Sequence, residues 1–109
     1  MEFNEYQKLA KQTNISPMIR DSFVYPTLGL VSEAGEVAGK VKKIYRDNDG
    51  VLDNERKEML KKEIGDVLWY TAQLCTDLDL SLDDVAKANI DWLAGRKERG
   101  TIKGDGDNR

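Results

Sequence analysis

From Pro26 to Arg46 the apolar residues Leu30, Ala34, Val37, Val41 and Ile44 recur in steps of four, three, four and three. That spacing belongs to a helix with one face packed against other helices. It returns thirty residues later in Leu60, Ile64, Val67, Thr71, Leu74 and Leu78, and predicts a helix from about Asn54 to Leu78. A shorter segment, Asn4 to Gln12, carries Phe3, Tyr6 and Ala10 on one side, with Asn4 as its candidate cap. The last segment opens at Ser81, where Ser-x-x-Asp with Asp84 makes a capping-box-like start. It runs through Val85, Ala86 and Leu93 to about Glu98, with Gly100 as the stop. Pro26 suits the first position of the second helix. No stretch alternates apolar and polar residues as a strand does. The pattern predicts an all-α chain, a bundle of four to five helices forming one domain over residues 1–109. "TNISPMIRDSFVY" is an irregular connection, and residues from about 100 to 109 are a polar, glycine-containing tail expected to be flexible.

At 109 residues the chain alone buries a modest core, and an oligomer makes burial easier. Charged residues are 34% of the chain, yet the net charge is −3 with both signs interspersed, which argues against a basic grip on nucleic acid. There is no histidine, so His-based triads, His-ligated zinc and Glu-x-x-His di-iron sites are excluded. Cys75 is a single cysteine, the first residues lack an apolar signal core, and no run approaches a membrane span. These features fit a soluble protein of a reducing compartment, the cytoplasm.

The two long helices share more than their apolar stripes. "LVSEAGEV" and "LKKEIGDV" both read L-x-x-E-x-G-[E/D]-V. On a wheel of about 100° per residue, Glu36 lies near −60° from Glu33, and Asp66 lies near −60° from Glu63. In both helices the stripe sits at about +20° to +80°. Each carboxylate pair therefore borders the apolar face. If the stripes pack together, Glu33, Glu36, Glu63 and Asp66 converge and repel unless a cation sits among them. An all-oxygen donor set suits Mg²⁺, with Mn²⁺ as a substitute. Gly35 and Gly65 each cost their helix about 1 kcal/mol, which points to close helix approach or to room for a ligand at the backbone. A single Glu-x-x-Glu is common on solvated faces; two copies in one register, each with its glycine, favour a metal site. "RDNDGVLDN" fails as an EF-hand loop, since Tyr45 and Arg56 fall where oxygen ligands are needed, and reads as a polar turn.

Phosphate is the usual companion of carboxylate-held Mg²⁺. Lys40 and Lys43 are candidate phosphate contacts, although Lys40 is also placed for an ion pair with Glu36 one turn back. In the last helix Leu82, Ala86, Asn89, Leu93 and Arg96 follow one stripe, which turns Asn89 and Arg96 inward and asks for a ligand or a salt bridge. Trp69 and Tyr70 follow the second acid pair and are placed either to stack on a base or to fill the core.

The acid pattern Glu33-x-x-Glu36 with Glu63-x-x-Asp66 resembles the ExxE…ExxD signature of the MazG-like, all-α nucleoside triphosphate pyrophosphohydrolases. "YPTLGLVSEAGEVAGKVKK", "KKEIGDVLWY", "LSLDDVAKANIDWLAGRKERG" and "GDGDNR" extend the resemblance over most of the chain. It implies Mg²⁺-dependent hydrolysis of (deoxy)nucleoside triphosphates to monophosphate and pyrophosphate, in nucleotide-pool control or sanitation. It also implies homodimers or homotetramers in which neighbouring helices complete the site; some members are carried by phages. By position, Glu33, Glu36, Glu63 and Asp66 become the metal ligands, and Lys40, Asn89 and Arg96 lie near the phosphates. Many relatives read N-x-x-K-L-x-x-R in the last helix. Trp92 stands here in place of that lysine, leaving Lys103 as a substitute cation, or Trp92 to pack on a base or a neighbouring subunit.

Overall fold

A computed structural model describes residues 1–15 and 23–109. It contains α1 (Phe3–Gln12), α2 (Val24–Asn48), α3 (Asn54–Asp77) and α4 (Leu82–Arg99), and no strand among the described residues. The chain is all-α, as its periodicity predicts. Most of the irregular connection after α1 lies outside the described residues.

α2 and α3 form a long antiparallel hairpin, and its turn explains the calcium-like loop. Asp49 adopts the left-handed conformation (φ 53°) at the end of α2, and the Gly50 N–H donates to the Ile44 carbonyl at 3.0 Å. Asp53 caps α3: its side chain accepts from the Arg56 N–H at 2.9 Å and from Arg56 Nη1 at 2.6 Å. Asn48 Nδ2 donates to the Val51 carbonyl at 2.8 Å. The acidic loop is committed to ending one helix and starting the next.

The helix ends differ from the sequence expectation in two instructive places. α2 begins at Val24, so buried Pro26 is third in the helix, still within the first turn where a missing N–H costs no intrahelical bond. Asn4 does not cap α1, whose cap position is Glu2. Its Oδ1 instead accepts from Ser81 Oγ at 2.7 Å and from the Asp83 N–H at 3.3 Å. Gln7 works beside it, accepting from the Leu82 N–H at 2.8 Å and donating to the Leu80 carbonyl at 2.9 Å. Side chains of α1 thus supply partners to the exposed first turn of α4, in addition to the Ser81 cap.

The core is small. Ala10, Ala72, Cys75 and Leu82 are buried together, with Tyr6 and Trp69 against them. Trp69 Nε1 donates to Thr13 Oγ1 at 2.7 Å, tying α3 to the end of α1. Large apolar residues remain at the surface: Leu28 is 64% exposed, Ile90 64% and, within the α3 stripe, Ile64 56%. The expected inward stripe of α4 is corrected here, since Asn89 and Leu93 are both exposed. The reason is that α4 meets α1 at its start, while further along Ile90 and Trp92 are exposed among the described residues. The radius of gyration, 16.8 Å, exceeds the roughly 13 Å of a compact domain of this length.

After α4 the chain closes on itself. Arg109 donates to the Thr101 carbonyl at 3.0 Å and to the Ile102 carbonyl at 3.1 Å, while Thr101 Oγ1 donates to the Arg109 main-chain oxygen at 2.7 Å.

The glycines separate into two kinds. A Cβ on Gly29 would overlap the Tyr70 ring, so Tyr70 lies across α2 only because residue 29 lacks a side chain. A Cβ on Gly35 or Gly65 meets nothing within 4 Å, so close approach of helices within this chain is not what those two glycines serve. Gly29→Ala is expected to destabilise the fold by about 1–3 kcal/mol through overpacking, outweighing the roughly 1 kcal/mol of helix preference gained. Gly35→Ala is expected to stabilise by up to about 1 kcal/mol. Urea unfolding of the two variants, followed by circular dichroism, checks the opposite signs.

Candidate metal centre

The hairpin brings the acid pairs face to face. Glu33 from α2 and Glu63 and Asp66 from α3 each offer one carboxylate oxygen, all within 4.8 Å of one another. Glu36 lies outside that group and is exposed, but its charge still acts on Glu33. The Glu33 carboxyl is held above the usual carboxylate range by lost hydration first, then by Asp66, Glu63 and Glu36. Three clustered oxygens without nitrogen or sulfur fit a hard divalent cation.

Lys40 reaches across the hairpin, its Nζ 3.9 Å from Glu63 Oε1. One turn further along α2, Lys43 joins Lys40 and Arg56 around a cavity of about 260 Å³, which Asp47, Glu55 and Met59 also line. Cations therefore lie on the loop side of the acids.

Aromatic residues lie on the other side. Tyr70 is one turn beyond Asp66, and the glycine over which it lies is one turn before Glu33. Its pKa is raised by the neighbouring Tyr25 hydroxyl first, with burial and the Tyr25, Glu33 and Asp66 charges adding to the shift. The Tyr25 and Tyr70 ring centroids are 6.2 Å apart, and Trp69 meets Tyr70 edge-on at 5.0 Å. The Tyr6 pKa is also raised, by burial and then by Asp66. The sequence offers Tyr25 and the N-terminal helix as further residues to line the base pocket, but does not single out Tyr6. The available signal was Gly29, a helix-interior glycine one turn from Glu33.

The α4 residues are not brought to the acids within this chain. Asn89 is exposed. Arg96 spends its contacts locally: Nη2 donates to the Asp107 carbonyl at 2.9 Å, and its guanidinium lies 5.3 Å from the Trp92 ring centroid. Its Nε is buried without a partner among the described residues. Trp92 therefore serves as a platform for Arg96. Lys103 is exposed in the final segment.

Residues 26–101 match the MazG nucleotide pyrophosphohydrolase domain. The chain is 48% identical to the Gene 37 protein of Mycobacterium phage L5, with both chains covered in full. It is 34% identical to the uncharacterized protein YvdC of Bacillus subtilis (strain 168), over 86% of this chain and 88% of that one. No solved structure matches the chain significantly.

The raised Glu33 pKa has a definite sign in stability. Its charged form is penalised in the fold, so the penalty is full above the folded pKa and is relieved as pH falls through it. Glu33→Gln is expected to raise the melting temperature of the metal-free protein near neutral pH, and the gain is expected to shrink as pH falls through the acidic range in which the Glu33 carboxyl takes up its proton. Thermal melts in a chelator across that range check it; a pH-independent difference contradicts the assignment.

Proposed function

The chain belongs to the MazG nucleotide pyrophosphohydrolase family, and from that premise we propose that it hydrolyses (deoxy)nucleoside triphosphates at the α–β anhydride, giving the monophosphate and pyrophosphate. The observation that carries this reading is the convergence of Glu33, Glu63 and Asp66 from two helices, with Lys40 beside them. Glu33, Glu36, Glu63 and Asp66 would hold Mg²⁺, with Mn²⁺ as a substitute. When bound, the ion supplies charge neutralisation to the phosphate oxygens.

The protein's own groups account for the remaining steps. Lys40, with Lys43 behind it, receives phosphate charge. A carboxylate of Glu33 or Glu36 orients water and accepts its proton. Tyr70, Trp69 and Tyr25 offer faces on which a base stacks. The role is control or sanitation of the nucleotide pool in a cytoplasm, the host's if the chain is phage-encoded. Residues 1–109 act as one domain.

The working unit is a homodimer or homotetramer. The apolar residues left uncovered on α2, α3 and α4 support this, as does a radius of gyration above that of a compact domain. Asn89, Arg96 and Lys103 then serve the acids of a neighbouring copy. A second reading, a nucleotide-binding module without turnover, draws on Arg96 being occupied by Trp92 and Asp107.

Incubation with the eight common ribo- and deoxyribonucleoside triphosphates and Mg²⁺, resolved by chromatography, separates the readings. Monophosphate plus pyrophosphate is the expected product pair; no turnover of any, with nucleotide bound, favours the binding module or one modified substrate. Asp66→Asn is expected to lower kcat/KM by about a hundredfold or more with helicity retained, and activity within about tenfold of wild type contradicts the carboxylate assignment. Ile90→Glu, on the uncovered face of α4, is expected to yield a monomer by light scattering with activity largely lost.

A further inference from the structure

Seven residues beyond Asp66, α3 places a glutamine on the face that carries the acid. Gln73 lies about 10 Å further along the helix and within about 20° of the Asp66 direction. Trp69 and Tyr70 flank that line at about −60° and +40° from Asp66. Gln73 is 3% exposed and is the one buried polar side chain among the described residues. Its two amide atoms stand differently. Oε1 accepts from Asn14 Nδ2 at 3.4 Å, just past the end of α1, whereas Nε2 is buried without a partner among the described residues.

A buried N–H donor without an acceptor costs a fold stability, and such a group in a native structure calls for an explanation. Packing does not supply one. Ala72 and Cys75, the neighbours of Gln73 in this part of α3, belong to the apolar core, and a methionine fills a glutamine's space with no donor to satisfy. An arriving acceptor does supply one. With an α-phosphate beside Glu33 and Asp66, a sugar comes level with Tyr70, and the far edge of the base comes level with Gln73, two turns beyond Asp66.

We propose that Gln73 selects the base of the substrate: its Nε2 donates to an exocyclic carbonyl oxygen, so that guanine, thymine or uracil is favoured over adenine or cytosine. The inference rests on the functional reading above for where the nucleotide lies along the hairpin. Adenine and cytosine present an amino group where guanine and thymine present a carbonyl. An amino group there sets donor against donor and leaves Nε2 unpaired. Asn14 fixes the choice, because its donation to Oε1 holds the amide with Nε2 turned to the ligand. The base enters between Tyr25 and Tyr70, whose ring centroids are 6.2 Å apart, by outward movement of Tyr25, which is 46% exposed. Stacking on those rings adds affinity with little choice between bases; Gln73 adds the choice and takes no part in the bond cleavage.

Calorimetric titration of the full chain with the α,β-methylene analogues of dGTP, dATP, dTTP and dCTP in Mg²⁺, alongside turnover of the parent triphosphates, tests this. Within the purines and within the pyrimidines, the carbonyl-bearing base is expected to bind about tenfold tighter, the equivalent of about 1.4 kcal/mol. Gln73→Met removes the donor at similar volume and is expected to bring that ratio close to one. Asn14→Asp gives the amide an acceptor, turns it over and is expected to favour the amino bases. That variant carries the test if circular dichroism shows Gln73→Met unfolded. A packing defect alone weakens all four analogues together and leaves the ratio where it was. If the wild type binds both classes equally or prefers the amino bases, or if its preference survives in the variants that fold, base selection by Gln73 is overturned, and turnover alone decides the hydrolytic reading. If no triphosphate is turned over yet the carbonyl preference appears and is lost in Gln73→Met, base selection stands and the hydrolytic reading falls. No binding of any analogue by the wild type overturns the proposal.

Discussion

The mutual repulsion of carboxylates across the α2–α3 hairpin is the constraint around which this molecule is organised. Glu33, Glu63 and Asp66 cannot share a 4.8 Å neighbourhood without cost, so the scaffold must hold them there. Two helices of 25 and 24 residues provide that scaffold, and Asp53 with Arg56 fixes their turn. Lys40 offsets part of the repulsion at 3.9 Å from Glu63. The remainder of that repulsion is left uncompensated among these side chains.

That arrangement also accounts for the poverty of the core. The helix faces that bear the acids are the faces a small bundle would normally bury. Ala10, Ala72, Cys75 and Leu82 hold α1 to the hairpin and to the start of α4, but Leu28, Ile64 and Ile90 stay at the surface. A chain that keeps the groove between its two long helices open for charge has less apolar surface to bury internally.

The helices and the acid register were legible because both depend on spacing along one chain. Leu30 to Ile44 and Leu60 to Leu78 announce a period, and a period survives without coordinates. The Ser81 cap and the Gly100 stop were legible for the same reason. What escaped was chemistry between segments. Asn4 reads as a local cap, yet its partners lie near residue 81. The α4 stripe reads as inward, but periodicity records that a face is apolar and not which molecule covers it. Gly29 is visible as a helix-interior glycine, but not that Tyr70 lies across it.

The contacts from Asn4 and Gln7 to the beginning of α4 span more than seventy residues. During synthesis α1 emerges first but finds these partners only after α3 and the Ser81 turn have left the ribosome. Loop closure must then precede the reward, which makes this the slow, non-local element of an otherwise hairpin-built protein. The contacts of α1 with α3 and with the start of α4 therefore carry the loop-closure cost of the fold, whereas the α2–α3 hairpin pairs across a short turn.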